Sequence, residues 1–290
     1  MVAIGSRPAR LPELNRVSWS TSSTMTDINI EYQSASGRQE LYDAIAADFA
    51  NRKPPIAIIV TGGTGPTLAC KNATATIPIV FATAGDPVGS GLVNSIYAPG
   101  GNVTGISNEQ TNLVQQRLSY MHDNLAPDLG NKCCVGPIGN TNATNVKLEM
   151  VEVQKQAARL GLKFYQSTIP LQTVDDIRPV MKDLKNNGVQ ALFVCTDPLI
   201  TTNADILNEW ALLEQLPTMH AFQENFGNEG LMFYGPIFTD MFQRAADFVS
   251  MILKDHNSPG QIPVEPAKTF EKKYNKRTAE VLGLKSLAKH

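Results

Sequence analysis

The feature that most constrains the fold is a regular alternation of two kinds of segment, which begins at residue 28. Short runs rich in β-branched apolar residues, such as residues 56–60 and 77–81, predict buried strands. Longer stretches with apolar residues at helical spacing, such as residues 39–52, predict amphipathic helices between them. This alternation is typical of βα units on a parallel sheet, so we predict the α/β class.

The alternation occurs in two similar sets, which predicts two Rossmann-like lobes. The length of 290 residues agrees with this, because one domain takes roughly 150 residues. The chain is expected to cross between the lobes near residues 104–108, 234–236 and 262–266. These crossings assign residues 1–105 and 236–264 to an N-terminal lobe, and residues 106–235 and 265–290 to a C-terminal lobe.

The second set has predicted elements of its own. Its helices are expected at residues 113–125, 146–160, 174–187 and 204–213, and its strands at 133–135, 163–165, 191–194 and 217–221. A helix at residues 241–254 follows the second crossing, and a tail helix at residues 275–282 follows the third.

Composition excludes several classes of protein. Hydrophobic residues make up 42% of the chain, which is too many for a disordered one. Lys and Arg number 25 against 27 Asp and Glu, so no basic field favours a nucleic-acid partner, and we expect none. The cysteines Cys70, Cys133, Cys134 and Cys195 show no CxxC spacing, so neither a zinc site nor a disulfide framework is expected.

The sequence contains no catalytic or cofactor-binding template. None of its four histidines lies in an HExxH motif. GxSxG, GxxxxGKS/T and a helix-opening GxGxxG are also missing from the sequence. We therefore expect no enzyme activity, no cofactor and no metal site. His220 ends an apolar run, where it either lines a ligand crevice or is an ordinary buried histidine.

Residues 1–25 lack the pattern of a secretory signal. Charged residues and prolines such as Arg7, Pro8 and Glu13 interrupt any apolar segment there. Elsewhere, no window approaches the roughly 18 to 20 apolar residues of a membrane-spanning helix. The chain as given is therefore expected to have no signal peptide and no membrane span.

The loop at residues 61–66, TGGTGP, is the best anion site in the sequence. It follows a predicted strand, and Pro66 suits the first turn of a helix, so free backbone N–H groups at a helix N-terminus are expected. Thr61 and Thr64 add hydroxyl donors. Because the loop has no lysine, a carboxylate is favoured over a triphosphate. The alternative is that the glycines only form a strand-to-helix turn.

Two aspartates and two aromatic residues follow strands of the two sets. Asp86 and Asp197 each follow an apolar strand and precede a proline, so each is placed to pair with a ligand ammonium. The alternative for both is helix capping or an Asx turn. Phe222 and Tyr234 are placed to stack on a ligand ring, or else they pack at a hinge.

Several motifs, in order along the chain, resemble one known family. IPIVFATAGDPVGSGLVNSIYAPGGNVTGIS at residues 77–107 is similar to the IPIVF, GDPVGAGLV and PGGNxTG stretch of ABC transporter substrate-binding proteins grouped with the tryptophan/tyrosine-binding family. GLMFYGP at residues 230–236 resembles the GLMSYGP crossover of that family, and NKRTAEVLGL at residues 275–284 resembles its NLKTAKALGL. The segments NIEY, TGGTGPT and CTDP resemble further family motifs, and the resemblance covers about residues 27–285.

The resemblance implies the type I periplasmic-binding-protein fold, with three crossovers between the lobes and a ligand cleft between them. It implies capture of a small carboxylate-bearing solute, an aromatic or other amino acid, by closure of the lobes. The partner would be an ABC permease in the membrane, and no chemistry would take place. The location would be periplasmic, or extracellular on a membrane anchor.

The resemblance also implies roles for particular residues. The loop at residues 61–64 would hold the ligand carboxylate, Asp86 or Asp197 its ammonium, and Phe222 or Tyr234 its apolar body. The full set of candidate ligand-binding residues is Thr61, Gly62, Gly63, Thr64, Asp86, Pro87, Asn140, Thr196, Asp197, Phe222 and Tyr234.

Two segments depart from the family pattern. Residues 1–26 do not match the first family strand, IGVLxP, so the N-terminal lobe is expected to lack its first strand. Residues 133–145 contain CCVGPIGNTN where the family has VAVLxNP, which leaves the identity of the solute open. Two other functions remain alternatives: the effector-binding core of a transcription regulator, for which residues 1–26 supply no helix-turn-helix, and an α/β enzyme.

Overall fold

The computed structural model describes residues 1–6 and 28–288. The chain forms two compact units and passes from one to the other three times. Unit 1 consists of Met1–Asn108 and Thr239–Pro266, and unit 2 of Glu109–Phe238 and Ala267–His290.

Strands and helices alternate along both units, which confirms the predicted α/β class. In the described part of the chain the strands are β1 (Val2–Ser6), β2 (Ile28–Tyr32), β3 (Ile58–Gly62), β4 (Ile79–Ala84), β5 (Val103–Ser107), β6 (Cys134–Ile138), β7 (Lys163–Phe164), β8 (Ala191–Val194), β9 (Thr218–His220), β10 (Met232–Pro236), β11 (Glu265–Pro266) and β12 (Phe270–Tyr274). The α-helices are α1 (Tyr42–Ala50), α2 (Thr64–Ala73), α3 (Val114–Leu129), α4 (Thr144–Arg159), α5 (Ile177–Asn186), α6 (Pro198–Thr202), α7 (Ala204–Leu213), α8 (Gln223–Phe226), α9 (Phe238–Leu253), α10 (Lys276–Val281) and α11 (Lys285–Ala288).

The sheet of unit 1 has six strands in the order β11-β5-β4-β3-β1-β2. β3, β4, β5 and β11 run parallel, with Ile59 opposite Ile79 and Ile79 opposite Val103. Because parallel strands end at the same edge, the loops after β3 and β4 leave the sheet side by side.

A strand that the sequence analysis did not expect lies in this sheet. Val2–Ser6 forms β1 between β3 and β2, and it is antiparallel to both, with Val2 opposite Val60 and Tyr32. Because β1 runs against β3, its carboxyl end lies at the edge opposite the ends of β3 and β4. The segment that departs from the family pattern therefore contributes a strand to this sheet, and the expectation that the lobe lacks a strand here is wrong. Residues 7–27, which include most of the segment examined for a signal peptide, lie outside the described residues.

The sheet of unit 2 has six strands in the order β12-β10-β9-β8-β6-β7. β7, β6, β8, β9 and β10 are parallel, so their loops also share one edge. β12 alone is antiparallel, pairing with β10 from Met232 opposite Tyr274 to Pro236 opposite Phe270.

Each unit has its own apolar core. In unit 1, Phe49 of α1 packs with Ile59 and Phe81 of the sheet. In unit 2 both faces of the sheet are covered, one by α3, α4, α10 and α11 and the other by α5 and α7. Full burial of one such side chain contributes about 1.5–3 kcal/mol, so the helices are held mainly through their apolar stripes.

Candidate functional site

β3 ends at Gly62, which is exposed at the carboxyl end of the sheet. Gly63 precedes α2 with φ 94° and ψ 161°, a conformation that residues with a Cβ avoid. Gly63 N donates to Thr83 O at 2.6 Å, which ties the loop to β4. Thr64 and Gly65 open α2, and first-turn N–H groups have no partner within a helix. Their N–H groups form a helix N-terminus suited to an anion.

The threonine hydroxyls of this loop are engaged inside it. Thr64 Oγ1 lies 3.3 Å from Gly85 O and accepts from Gly85 N at 3.2 Å. Thr61 Oγ1 and Thr67 Oγ1 are 2.7 Å apart, and Thr67 Oγ1 donates to Gly63 O at 2.6 Å. Both Thr61 and Thr64 are buried. The hydroxyls therefore maintain the conformation of the loop.

Asp86 follows β4 in an Asx turn. Its backbone has φ 39°, and its Oδ1 accepts from Gly89 N at 2.8 Å. A Cβ at Gly89 would lie 2.2 Å from Asp86 Oδ2, so the turn requires glycine there. Pro87 is buried and Asp86 is half-buried. The turn role that the sequence offered as an alternative is present, and the carboxylate remains partly exposed at the carboxyl edge of the sheet.

An aromatic residue that the sequence analysis did not single out lies beside the loop of Gly62. A Cβ built on Gly62 would be 3.7 Å from Cζ of Phe242. Phe242 is 46% exposed although it lies on α9, whose buried stripe contains Met241, Ala245 and Phe248. The sequence could have indicated Phe242, because it is a large apolar residue that lies just outside the apolar stripe of an amphipathic helix.

In unit 2, three candidate residues lie together in the loops after β6 and β8. Asn140, Thr196 and Asp197 are all buried. Asn140 N donates to Asp197 Oδ2 at 2.9 Å, and Ile200 N donates to Asp197 Oδ1 at 3.0 Å. Asp197 is therefore the N-cap of α6, as the capping alternative proposed. Burial raises the pKa of Asp197, while these backbone hydrogen bonds act in the opposite direction.

A buried ion pair supports these loops, and the sequence analysis missed it. Arg117 of α3 and Glu149 of α4 are both 0% exposed, and Nη1 lies 2.8 Å from Oε1. Arg117 Nε also donates to Tyr234 O at 3.1 Å. Burial lowers the pKa of Arg117 and raises the pKa of Glu149, and each partner opposes that shift. The signal was a charge inside each apolar stripe, since Arg117 is three residues after Val114 and Glu149 is three after Val146.

Every polar group of Thr196 is bonded within this cluster. Thr196 N donates to Glu149 Oε2 at 2.8 Å, and Thr196 Oγ1 bonds the same oxygen at 3.0 Å and also donates to Gln110 Oε1. Asn145 Nδ2 donates to Thr196 O at 2.7 Å. Gln110 Nε2 in turn donates to Asn145 O at 3.2 Å. The loop after β8 is thus anchored by α4 and by the segment just before α3.

The two candidate aromatic residues of unit 2 have different surroundings. Phe222 follows β9 and is 4% exposed, and its ring centre lies 4.2 Å from that of Phe238. Tyr234 lies within β10 and is half-buried, with its ring centre 6.4 Å from that of Phe270. The main chain of Tyr234 joins the Arg117 cluster, whereas Phe222 packs at the end of the sheet.

His220 is an ordinary core histidine, the second of the two interpretations that the sequence allowed. It ends β9 and is 0% exposed. Neither ring nitrogen has a hydrogen-bond partner among the described residues. Burial lowers its pKa to about 3, so the ring is neutral at physiological pH.

Over residues 1–6 and 28–288, no helix combines the length and apolar character needed to cross a bilayer. The same ranges contain no group of three or more His, Cys, Asp or Glu side chains arranged to hold a metal ion.

Two α/β units joined by three chain crossings, with polar loops at the carboxyl ends of both parallel sheets, define a type I solute-binding protein. Residues 23–287 match the family described as ABC transporter substrate binding protein, and the chain belongs to that family. Proteins of this family bind small molecules for ABC transporters and are not enzymes. They are periplasmic, extracellular or anchored as lipoproteins.

Known relatives agree with this assignment. A tyrosine-binding protein of Clostridioides difficile is 25% identical over 262 residues, which is 90% of this chain and 72% of the relative. A conserved domain protein of Vibrio cholerae has 25% identity and a TM-score of 0.79, covering 87% of this chain and 81% of its own. The ABC domain of Streptococcus pneumoniae in complex with L-Trp has 22% identity and a TM-score of 0.74, covering 84% and 79%. The predicted type I fold is confirmed.

Proposed function

We propose that the chain captures a free amino acid with an aromatic side chain and delivers it to an ABC permease. The observation that carries the proposal is the family match over residues 23–287. The choice of an aromatic ligand is supported by a relative named for tyrosine and by a structural neighbour that holds L-Trp.

In this proposal, unit 1 recognises the polar part of the ligand. The carboxylate accepts from the N–H groups of Thr64 and Gly65 at the start of α2, where the helix dipole also favours an anion. Gly62 and Gly63 have no side chain to keep the ligand away from the backbone. Thr61 and Thr64 act through the hydroxyl bonds that hold the loop in shape.

The ligand ammonium pairs with Asp86 in this proposal, in preference to Asp197. Both carboxylate oxygens of Asp197 already accept backbone hydrogen bonds in a buried position. Asp86 is half-buried and uses Oδ1 for its own turn. The contact of Thr64 Oγ1 with Gly85 places the Asp86 loop against the start of α2. An α-amino acid needs this proximity, because one carbon separates its two charged groups.

From unit 2, we assign Asn140, Thr196, Phe222 and Tyr234 to the ligand, with Phe222 and Tyr234 contacting its apolar body. Asp197 then acts as a positioning residue, because it holds Asn140 and caps α6. Phe242 joins Pro87 as an apolar neighbour of the polar loops in unit 1. The proposed location is periplasmic, or extracellular on a membrane anchor.

A thermal-shift screen with L-Trp, L-Tyr, L-Phe and L-Leu tests the proposal. A ligand at a hundredfold excess over its Kd stabilises the folded state by about 2.7 kcal/mol, which raises Tm measurably. Tryptamine lacks the carboxylate and indole-3-propionate lacks the ammonium, so both should shift Tm less than L-Trp. Asp86→Asn should reduce the response to L-Trp and leave that to indole-3-propionate unchanged. A cooperative melt that no amino acid shifts would contradict the proposed function.

A further inference from the structure

Unit 2 carries a basic groove that the solute site does not use. The groove is open to solvent, has a volume of about 640 Å³ and is lined by Tyr120, Phe226, Lys272, Lys273, Tyr274, Asn275, Lys276 and Arg277. Half of these residues are cationic and none is acidic, in a chain whose formal net charge is -2. The charge of this basic groove is thus opposite to that of the chain as a whole.

The basic groove lies at the open edge of the sheet. Lys272 Nζ is 5.4 Å from the ring centre of Tyr120, whereas Lys273 Nζ is 6.0 Å from that of Phe233. Phe226 packs on Phe233 with the ring centres 5.4 Å apart. Since consecutive residues of a strand point to opposite faces, the groove is lined from both faces of the sheet. It therefore follows the edge of β12, which has no further strand beside it in the described sheet.

Most of the cations in the basic groove are not neutralised within the chain. Lys273 pairs with Glu271 at 2.6 Å. Lys272, Lys276 and Arg277 are exposed, and no ion pair joins them to another described residue. Lys272 is held beside an aromatic ring and not by a carboxylate, so its charge remains available to an outside anion.

Lysines on an edge strand also prevent unwanted strand pairing. That role accounts for Lys272 and Lys273 but not for Lys276 and Arg277, which lie beyond the end of β12. It also gives no reason for a concave surface with aromatic rings on both sides.

We propose that the basic groove binds an acidic, extended segment of a partner polypeptide. Lys272 and Lys273 lie on β12, about 3.3 Å apart along the strand, and Lys276 and Arg277 lie at the start of α10. Because the four cations are spread over six residues, they match carboxylates spaced along a chain better than one phosphate. The edge of β12 offers backbone N–H and C=O groups that an extended chain can use.

The test uses the full chain and a dye-labelled, end-blocked octapeptide of alternating glutamate and threonine. Binding is followed by fluorescence anisotropy, and the contact is mapped by hydrogen exchange. The wild-type chain should bind the peptide saturably, less tightly as salt rises, with protection confined to residues 270–277. The double variant Lys272→Glu, Lys276→Glu should bind at least tenfold more weakly. The control Lys147→Glu, Lys182→Glu changes two exposed lysines on α4 and α5, alters net charge equally, and should bind as the wild type does.

Four results would overturn the proposal. The control variant could lose peptide binding as strongly as the double variant, or the wild-type chain could fail to bind the peptide. Inorganic phosphate could displace the peptide completely, or the chain could bind phosphatidylglycerol vesicles and not the peptide. The substitutions lie on exposed side chains, so an unchanged Tm should accompany the loss of binding. The proposal is independent of the solute, because the response of Tm to amino acids should be the same in both double variants and the wild type.

Discussion

The two units hold their candidate loops in different ways. In unit 1, the loop after β3 is maintained by the backbone conformation of Gly63 and by threonine hydroxyls. In unit 2, the loop after β8 is anchored by Arg117, Glu149 and the hydrogen bonds that converge on Thr196. The same βα frame thus fixes one loop through backbone conformation and the other through buried charge, and the two loops should respond differently to substitution.

The largest effect is expected from breaking the buried ion pair. Arg117→Met leaves Glu149 as an uncompensated buried charge, so it should lower the free energy of unfolding by about 3–5 kcal/mol, measured by urea denaturation. In unit 1, Arg244 pairs with Glu265 at 2.6 Å but is partly exposed. The matched control Arg244→Met should therefore cost less than about 1 kcal/mol.

A second variant separates buried charge from packing. In Arg117→Met, Glu149→Leu no buried charge remains, and this double variant should recover more than half of the stability lost by Arg117→Met. Affinity for the amino acid should stay reduced, because the buried Thr196 N has lost its acceptor. A double variant as unstable as Arg117→Met, or one with wild-type affinity, would contradict the proposed role of the pair.

A pH effect is expected in unit 2 because of His220. Its folded pKa of about 3 lies below the unfolded value of 6.5, so the unfolded chain binds the proton first. The contribution of His220 to stability is complete above pH 6.5 and is lost as the pH falls towards 3, by roughly 2 kcal/mol between pH 7 and pH 5.

The control for this effect is His220→Leu, which removes the titrating ring. Glu149 and Asp197 have raised pKa values, so they change stability in the opposite direction and must be subtracted. The difference between the urea stabilities of wild type and His220→Leu, followed from pH 7 to 5, isolates His220. A difference that does not change with pH would show that the ring takes up its proton equally well in the folded and unfolded chain, which would contradict the lowered pKa.

A smaller effect is expected from the backbone of unit 1. Gly63→Ala forces a Cβ into φ 94°, which should cost about 1–2 kcal/mol and shift the start of α2. The neighbour Gly62 has room for a Cβ, whose nearest neighbour would be Phe242 at 3.7 Å. Gly62→Ala should therefore leave Tm nearly unchanged. Equal losses of Tm in the two variants would argue against a conformational role for Gly63.

The smallest effect concerns the cap of α6. Asp197→Ala removes the acceptor of Ile200 N and Asn140 N, so it should cost about 1 kcal/mol, measured by thermal unfolding. Asp197→Asn keeps one acceptor oxygen and should lose less. If Asp197→Asn abolished amino acid binding without changing Tm, Asp197 would contact the ammonium directly and the assignment to Asp86 would be wrong.

Much of the fold could be predicted because its strands are local apolar runs. The helix predicted at residues 174–187 is found as α5, which ends one residue earlier than predicted and is preceded by a 3-10 turn at Val174–Asp176. It could be predicted because its apolar residues all face the core: Ile177, Val180, Met181 and Leu184. The tail helix at residues 275–282 is found as α10 in unit 2. The loops of Gly63, Asp86 and Asp197 could be located because polar residues followed those runs.

Other features depend on contacts distant in sequence. β1 lies outside the regular alternation that begins at residue 28, and its antiparallel direction is set by pairing with Val60 and Tyr32. β12 is polar because it is an edge strand, so no apolar alternation marked it. Arg117 and Glu149 are 32 residues apart and lie on different helices, so the sequence shows only two charges in apolar stripes.

A crystal structure of the chain with the amino acid that gives the largest increase in Tm tests the central claim most directly. We expect the ligand carboxylate to accept from Thr64 N and Gly65 N and its ammonium to contact Asp86. A ligand whose carboxylate lies elsewhere, with these N–H groups bonded only to water, would contradict it.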